Sequence, residues 1–271
     1  FINNLKLNIM KKIFTLLVMV VLAACWTSCS DDDDNNKDED TSKDKKLVSK
    51  IECTTSDNDD YHIIWEYSYN NDQTIQKITQ KLTEDGEVYI QTNTLEHSTD
   101  KLIIHVNDSN PEGEEQYVIT CTLNNQNNIT DIKADIDCAS NNAKFVYSDD
   151  NHLILNTIEY DEEFTWDNNG NLVNIDKYGT IRCTMSEVEN KANIDFNQIL
   201  LNYPNTDGDF DVTALTGYIG EKSKNLILKG SDWTDIESHE YIVDKEGYPT
   251  EIKGMTSSNK IYCVYKITYT E

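Results

Sequence analysis

The stretch Trp-Asp-Asn-Asn-Gly-Asn-Leu at residues 166–172 decides how this chain folds. The stretch begins with an aromatic residue, continues with polar residues and a glycine, and ends with a leucine. Asn, Asp and Gly tolerate a positive φ and bond to their own backbone, so they reverse a chain tightly between two strands. The stretch therefore predicts a β-hairpin whose strands extend outward on both sides.

The same unit recurs along the chain, and the spacing of its residues is the same in each copy. In each copy, an apolar or aromatic residue is followed by a polar turn and an apolar residue, and usually by a branched residue three positions later. The copies span Tyr69–Ile78, Leu123–Ile132, Trp166–Ile175 and Val243–Ile252, and a fifth, Tyr147–Leu153, is degenerate after the turn. This recurrence predicts a meander of antiparallel hairpins.

The segments between the turns alternate apolar and polar residues with the two-residue period of a strand. The alternation is clearest over Ile63–Tyr69 and Ile261–Tyr269. Further strands are predicted at Lys101–Val106, Gln116–Leu123, Ile158–Trp166 and Asn225–Lys229.

One short helix is expected at Asn193–Asn202. Asp195 would cap its first turn, and Ile194, Ile199 and Leu201 would face the sheet. The predicted fold class is all-β, a highly curved antiparallel meander with this one helix.

The turns at 166–172 and 244–249 resemble the Tyr-Asp hairpin repeats of RHS-type proteins. The segment 193–200 and the terminal stretch 267–269 are similar to uncharacterised Bacteroidota lipoproteins with a domain of unknown function built from such hairpins. The resemblance covers most of 47–271. It implies a highly curved sheet, either open or partly closed as a porin-like barrel, and it carries over no catalytic residue.

The beginning of the chain has the pattern of a secretory signal. Basic residues at 11–12 precede an apolar run, Ile13–Ala24, which is shorter than the roughly 20 residues that a transmembrane helix needs. We expect residues 10–28 to be a cleaved lipoprotein signal peptide and residues 1–9 to lie upstream of the true start.

Two cysteines compete for the lipid. Cys25 follows the better Leu-Ala-Ala context, whereas Cys29 precedes Ser-Asp-Asp-Asp-Asp and resembles the start of mature surface lipoproteins of Bacteroidota. We predict lipidation at Cys29, with Cys25 as the alternative. Residues 29–46 are then the lipidated cysteine and a disordered acidic tether, because no apolar residue follows the cysteine there. We expect residues 47–271 to form a single β-repeat domain, exposed on the surface of the outer membrane and held there by its N-terminal lipid anchor.

Composition excludes one class of partner. The chain has 49 acidic and 23 basic residues, a net charge of −26. Nucleic-acid binding draws on clustered Lys and Arg, and a chain this acidic repels a polyanion. We therefore expect no nucleic-acid partner.

No pattern of chemistry-bearing residues predicts catalysis. The five histidines form no H-E-x-x-H motif, and nucleophile-elbow and phosphate-loop signatures are missing from the sequence. The acidic triplet in 207–211 lacks the rest of a calcium loop. We predict no enzyme activity, no metal site and no cofactor.

The cysteines downstream of the anchor are spaced too widely for a zinc or redox motif. They are predicted to be inert core thiols, with one disulfide left open: Cys53, Cys121, Cys138, Cys183 and Cys263.

The aromatic residues suggest what the domain binds. Trp233 has the most polar neighbours among Trp65, Trp166 and Trp233, which makes it the candidate for ligand binding. The predicted function is a non-enzymatic extracellular binding domain with a glycan or protein ligand. The alternative is a structural or accessory subunit of an outer-membrane assembly, and a hydrolase acting outside the cell ranks third.

Overall fold

The computed structural model describes residues 46–56, 61–110, 113–135, 142–157, 161–177, 179–203, 217–230 and 235–270. Within these ranges the chain forms seventeen strands and one helix, α1 (Phe196–Leu201). The strands are β1 (Val48–Thr55), β2 (His62–Tyr69), β3 (Ile75–Glu84), β4 (Glu87–His97), β5 (Lys101–Asn110), β6 (Gly113–Leu123), β7 (Ile129–Ala134), β8 (Asn142–Tyr147), β9 (Leu153–Asn156), β10 (Glu162–Trp166), β11 (Leu172–Asp176), β12 (Thr180–Arg182), β13 (Thr184–Glu189), β14 (Asn225–Lys229), β15 (Ser238–Val243), β16 (Pro249–Met255) and β17 (Ile261–Tyr269).

Several sequence predictions fall on residues outside these ranges. They concern the signal peptide and tether, Cys25, Cys29, Cys138, the acidic segment 207–211 and Trp233. They stay predictions.

The strands form an antiparallel meander that closes on itself to a nearly complete barrel. Each strand from β1 to β11 pairs with the next, and β17 pairs with both β16 and β1. Strands β12 and β13 are two halves of one run bent at Cys183, since β12 pairs with β11 and β13 with β14. Strands β14 and β15 are joined by the register pair Lys229 and Ser238. The predicted all-β antiparallel fold is confirmed.

Turns of one geometry connect six of the hairpins. In the turn 167–171, the Asp167 N–H donates to the Asn171 carbonyl at 2.9 Å, and the Gly170 N–H donates back to Asp167 at 3.1 Å. The fourth residue, here Gly170, has a positive φ of 76°. The same pair of bonds and the same positive φ recur in the turns 70–74, 124–128, 148–152, 244–248 and 256–260.

The side chain of the first turn residue explains the choice of sequence. In two of these turns, Asp167 and Asp244, one carboxylate oxygen accepts N–H groups from the residues two and four positions on. This local bonding holds a three-residue loop closed, and the positive φ produces the bulge beside it. The turn 148–152, degenerate in sequence, has the same backbone. The turn 256–260 was not predicted because Asn259 is the single Asn, Asp or Gly residue in it.

Aromatic side chains tie neighbouring hairpins together. Each aromatic residue is the last of its strand, and its side chain donates to the backbone carbonyl of the first residue of a neighbouring strand. The bonds run from Tyr69 to Val48, Tyr147 to Ile129, Trp166 to Leu153 and Tyr269 to Pro249, at 2.6–2.8 Å.

The barrel interior is filled with apolar side chains. Leu102 and Ile104 of β5 point inward and are 0% exposed, whereas Lys101, the first residue of the same strand, faces outward. Helix α1 lies in this interior, where Phe196 and Leu201 are buried. Each such buried side chain contributes roughly 1.5–3 kcal/mol of transfer free energy, so the interior is the core of the fold.

The described cysteines belong to this core. Cys53, Cys121 and Cys263 are buried and Cys183 is half-buried, and all four are free thiols. Burial raises the pKa of Cys121 and of Cys183 to about 12. The prediction that these cysteines lie in the core is confirmed for the three that are buried.

Helix α1 is shorter than predicted and is covered on more than one face. It begins after Asp195, whose carboxylate accepts the Asn197 N–H at 3.0 Å, so the predicted cap is confirmed. The expected facing residue Ile199 is only half-buried, and Leu200 is buried instead. The reason is that the helix packs inside the barrel, where neighbours surround it, instead of lying on an open sheet.

The Asp195 carboxylate also organises the chain on both sides of α1. Asn190 Nδ2 donates to it at 2.6 Å and the Tyr203 hydroxyl donates to it at 3.0 Å. Burial raises the pKa of Asp195, and the Lys222 ammonium and these donors oppose that rise. The network therefore holds residues 190–203 as one unit.

Candidate functional site

One end of the barrel carries five of the tight turns, and we call it the turn end. These turns are 70–74, 124–128, 148–152, 167–171 and 244–248. Because strands alternate in direction, every second connection of the meander lies at this end. The chain leaving β13 and entering β14 also passes here.

Residues 217–224, which we call the crossing segment, lie on two of these turns. The Glu221 N–H donates to the Asn151 carbonyl at 2.8 Å, and the Lys224 N–H donates to the Gly170 carbonyl at 3.1 Å. Ser223 is fully buried, and its hydroxyl oxygen accepts the Leu172 N–H at 2.8 Å. These bonds attach the crossing segment to the hairpins β8–β9 and β10–β11.

His152 and Trp166 stack where the two turns meet. Their ring centroids are 4.3 Å apart and their planes differ by 17°. The Trp166 indole donates to the Leu153 carbonyl at 2.6 Å, and His152 Nδ1 lies 3.1 Å from the Glu221 carbonyl. A carbonyl can only accept, so this bond assigns the proton to Nδ1 and leaves Nε2 as an acceptor in the neutral ring. We call these two residues the stacked pair.

Two pockets adjoin the stacked pair. The tryptophan pocket, about 590 Å³, is lined by Phe164 and Trp166 with the polar residues Ser148, Asp150, Asp167 and Asn168. The lysine pocket, about 440 Å³, is lined by Lys191, Lys222 and Lys224 with Glu189, Glu221 and Asn190. His152 and Gly170 line both pockets, so the two share a wall. Both volumes lie in the range of small-ligand sites.

Charge and hydrogen-bonding groups surround the aromatic wall of the tryptophan pocket. Backbone N–H groups, that of Asn171 first, lower the pKa of Asp167. Asp150 and Asn168 are exposed and can accept or donate hydrogen bonds at the rim. A flat aromatic face with carboxylates and amides around it binds a molecule that has an apolar face and hydroxyl edges.

The sequence had pointed to other residues. Trp65 is 7% exposed, and its indole donates to Gln80 at 3.0 Å inside the barrel wall. Trp166 was considered as a binding aromatic residue but ranked below Trp233, which lies outside the described residues, and His152 was not singled out. The signal was present in the repeat itself, because the last residue of one turn lies beside the aromatic residue that opens the next.

Neither metal ligation nor a helical membrane crossing marks the described ranges. They hold no group of three or more His, Cys, Asp or Glu side chains arranged to bind a metal ion. They also contain no helix with the length and apolar character that crossing a bilayer needs.

Comparison with known proteins shows the fold. The chain is similar to the crystal structure of a porin-like protein from Bacteroides uniformis, with a TM-score of 0.58 and 18% identity over 82% of this chain and 98% of that one. It also matches a porin-like protein from Bacteroides vulgatus, with a TM-score of 0.44, 13% identity, and coverage of 83% and 99%. No protein-family model and no curated protein matches the sequence.

The first of these similarities agrees with the porin-like curved sheet that the sequence resemblance implied. The RHS-type and lipoprotein parts of that resemblance stay predictions.

Proposed function

We propose that this chain is a surface-anchored lipoprotein whose barrel binds glycans at the turn end without transforming them. The observation that carries the proposal is the stacked pair of His152 and Trp166 between two polar pockets. A sugar ring has an apolar C–H face that packs against an aromatic ring. Its hydroxyl groups would bond to the carboxylates and amides at the rim.

The way the stacked pair is held supports a binding role. Trp166 and His152 each bond to a backbone carbonyl, and the turns beneath them are closed by their own hydrogen bonds. A ligand therefore meets a preformed surface and has to order few side chains, which favours affinity.

The packed interior supports a role at the surface of the barrel over conduction through it. Most inward positions are apolar and α1 is buried against them, while charged residues such as Lys101 face outward. A membrane-spanning barrel of the porin type has the opposite arrangement, an apolar outer band and a polar lumen.

Replacing Trp166 by alanine is expected to weaken glycan binding by about 30-fold, because an aromatic anchor in a binding site is worth about 2 kcal/mol or more. Calorimetric titration of the folded chain against a polysaccharide panel measures this. Trp166→Phe should retain most of the affinity, since it keeps the stacking face and loses only the indole N–H. Tyr89→Ala is the matched control, because Tyr89 is a half-buried aromatic residue of β4 away from the pockets.

Binding that is unchanged in Trp166→Ala, with the variant folded, would refute this site. Silence of the wild-type chain across the whole panel would refute glycan binding. It would move the assignment to a protein ligand or to an accessory subunit of an outer-membrane assembly.

Lipid anchoring is tested separately. Metabolic labelling with a palmitate analogue should tag the wild-type chain and fail for Cys29→Ala, because the lipid is carried by that sulfur. Cys25→Ala serves as the paired variant. If label is lost in Cys25→Ala and kept in Cys29→Ala, the anchor is Cys25, and label in the double variant would refute lipidation at both.

A further inference from the structure

We propose that the lysine pocket recognises an anionic sugar unit, a uronic acid, next to the unit that stacks on Trp166. The inference rests on the proposed glycan binding and names its ligand class. The two pockets share His152 and Gly170, so adjacent units of one chain can occupy both.

The charge of the lysine pocket differs from that of the chain. Three lysines and two glutamates line it, an excess of one positive charge in a chain of net charge −26. Most of the surface of so acidic a chain repels an anionic ligand, whereas a concave site with excess positive charge attracts it.

Contacts within the structure show which ammonium group is available. Lys222 Nζ donates to the Ala192 carbonyl. Lys191 Nζ donates to the Glu246 carbonyl and lies 4.8 Å from the centre of the Tyr248 ring. Lys224 is exposed and forms no ion pair within the described ranges, and its backbone is held to Gly170 beside the stacked pair. Lys224 is therefore the cation that a ligand carboxylate would meet.

Asn190 provides a second and independent indication. Asn190 is one of the residues that line the lysine pocket, it is 4% exposed, and Nδ2 donates to Asp195 at 2.6 Å. Oδ1 has no hydrogen-bond partner among the described residues. A buried amide oxygen without a donor is costly, so a ligand hydroxyl that donates to it gains more than it would at an exposed acceptor.

The combination defines the ligand. It must offer hydroxyl donors for Asn190, an anionic group for Lys224 and a ring of the same chain for Trp166. Glu189 and Glu221 at the same pocket can accept further hydroxyls. A uronic acid within a polysaccharide has all of these groups, whereas a neutral sugar lacks the anion.

The test compares an oligosaccharide that carries one uronic acid unit among neutral sugars with the same oligosaccharide after its carboxyl group is reduced to an alcohol. Calorimetric titration of the wild-type chain should show at least about tenfold tighter binding of the acidic form, because charge-assisted bonds are about twice as strong as neutral ones. Lys224→Ala should bind both forms at the weaker affinity. Lys245→Ala is the matched control, since Lys245 is an exposed lysine of the turn 244–248 that does not line the pocket.

Each outcome has one meaning. Equal affinity for both forms, or an acid preference that survives in Lys224→Ala, would overturn the uronic acid assignment. If the acidic and neutral forms bind equally well and both lose binding in Trp166→Ala, the proposed function stands while this inference fails. If no glycan of either kind binds, both fail together.

Discussion

Replacing Asp195 by alanine is expected to destabilise the barrel by about 3–5 kcal/mol. The change removes the cap of α1, worth about 1 kcal/mol, and it leaves the Asn190 amide and the Tyr203 hydroxyl without their acceptor. Each buried donor without a partner costs roughly 1–3 kcal/mol. Urea unfolding followed by tryptophan fluorescence measures the loss.

Two variants separate the Asp195 network from a general effect of charge. Asp195→Asn keeps one amide oxygen as an acceptor for the cap, so it should lose less stability than Asp195→Ala. Glu187→Ala removes an exposed carboxylate of β13 and should change stability by less than about 0.5 kcal/mol. A loss below 1 kcal/mol in Asp195→Ala would show that the network is not needed to hold α1 in place.

Replacing Gly220 by alanine is expected to displace the crossing segment and to lower the free energy of unfolding by about 2–5 kcal/mol. Gly220 has a φ of +71°, and a Cβ there would clash with the Asn151 carbonyl oxygen and lie 2.9 Å from ring carbons of Tyr147. The backbone conformation costs about 1–2 kcal/mol for a residue with a side chain, and overpacking adds typically 1–3 kcal/mol. Thermal unfolding monitors the loss of stability.

The same substitution should also impair ligand binding. The N–H of the adjacent Glu221 donates to the Asn151 carbonyl, and the Glu221 carbonyl accepts from His152 Nδ1. A shift of the crossing segment would therefore break the bond that holds the His152 ring against Trp166. We expect weaker glycan binding in Gly220→Ala even at temperatures where the variant is folded.

Gly217→Ala is the control for Gly220. Gly217 also has a positive φ, +92°, but nothing lies within 4 Å of a Cβ added there. Gly217→Ala should therefore lose only the stability that the positive φ costs a residue with a side chain, and it should keep the binding site. Equal losses in the two variants would show that crowding against the turn 148–152 contributes nothing.

The repeated turn explains how the candidate site arises. Because the turns 148–152 and 167–171 have the same backbone, His152 and Asn171 hold equivalent places in successive hairpins. Trp166 opens the second hairpin, and its bond to Leu153 sets it against the end of the first. A binding surface can thus form at the junction of two repeats whose turns are purely structural.

Local features were accessible to sequence reasoning. The strand Asn225–Lys229 was predicted with its observed bounds, and the Asp195 cap was predicted at the residue that forms it. Both depend on residues close in the chain. The turn 256–260 was missed because Thr256 and Asn259 form the same backbone bonds in a stretch with a weaker compositional signal.

The sequence by itself determined the hairpins, because a turn such as 167–171 is closed by bonds among its own five residues. Only the tertiary structure decided that β1 and β17 pair to close the barrel, that α1 lies inside it, and that His152 stacks on Trp166. These contacts join segments far apart in the chain or on different hairpins. Their formation depends on the curvature of the whole sheet and on the filling of its core, which no local pattern of residues encodes.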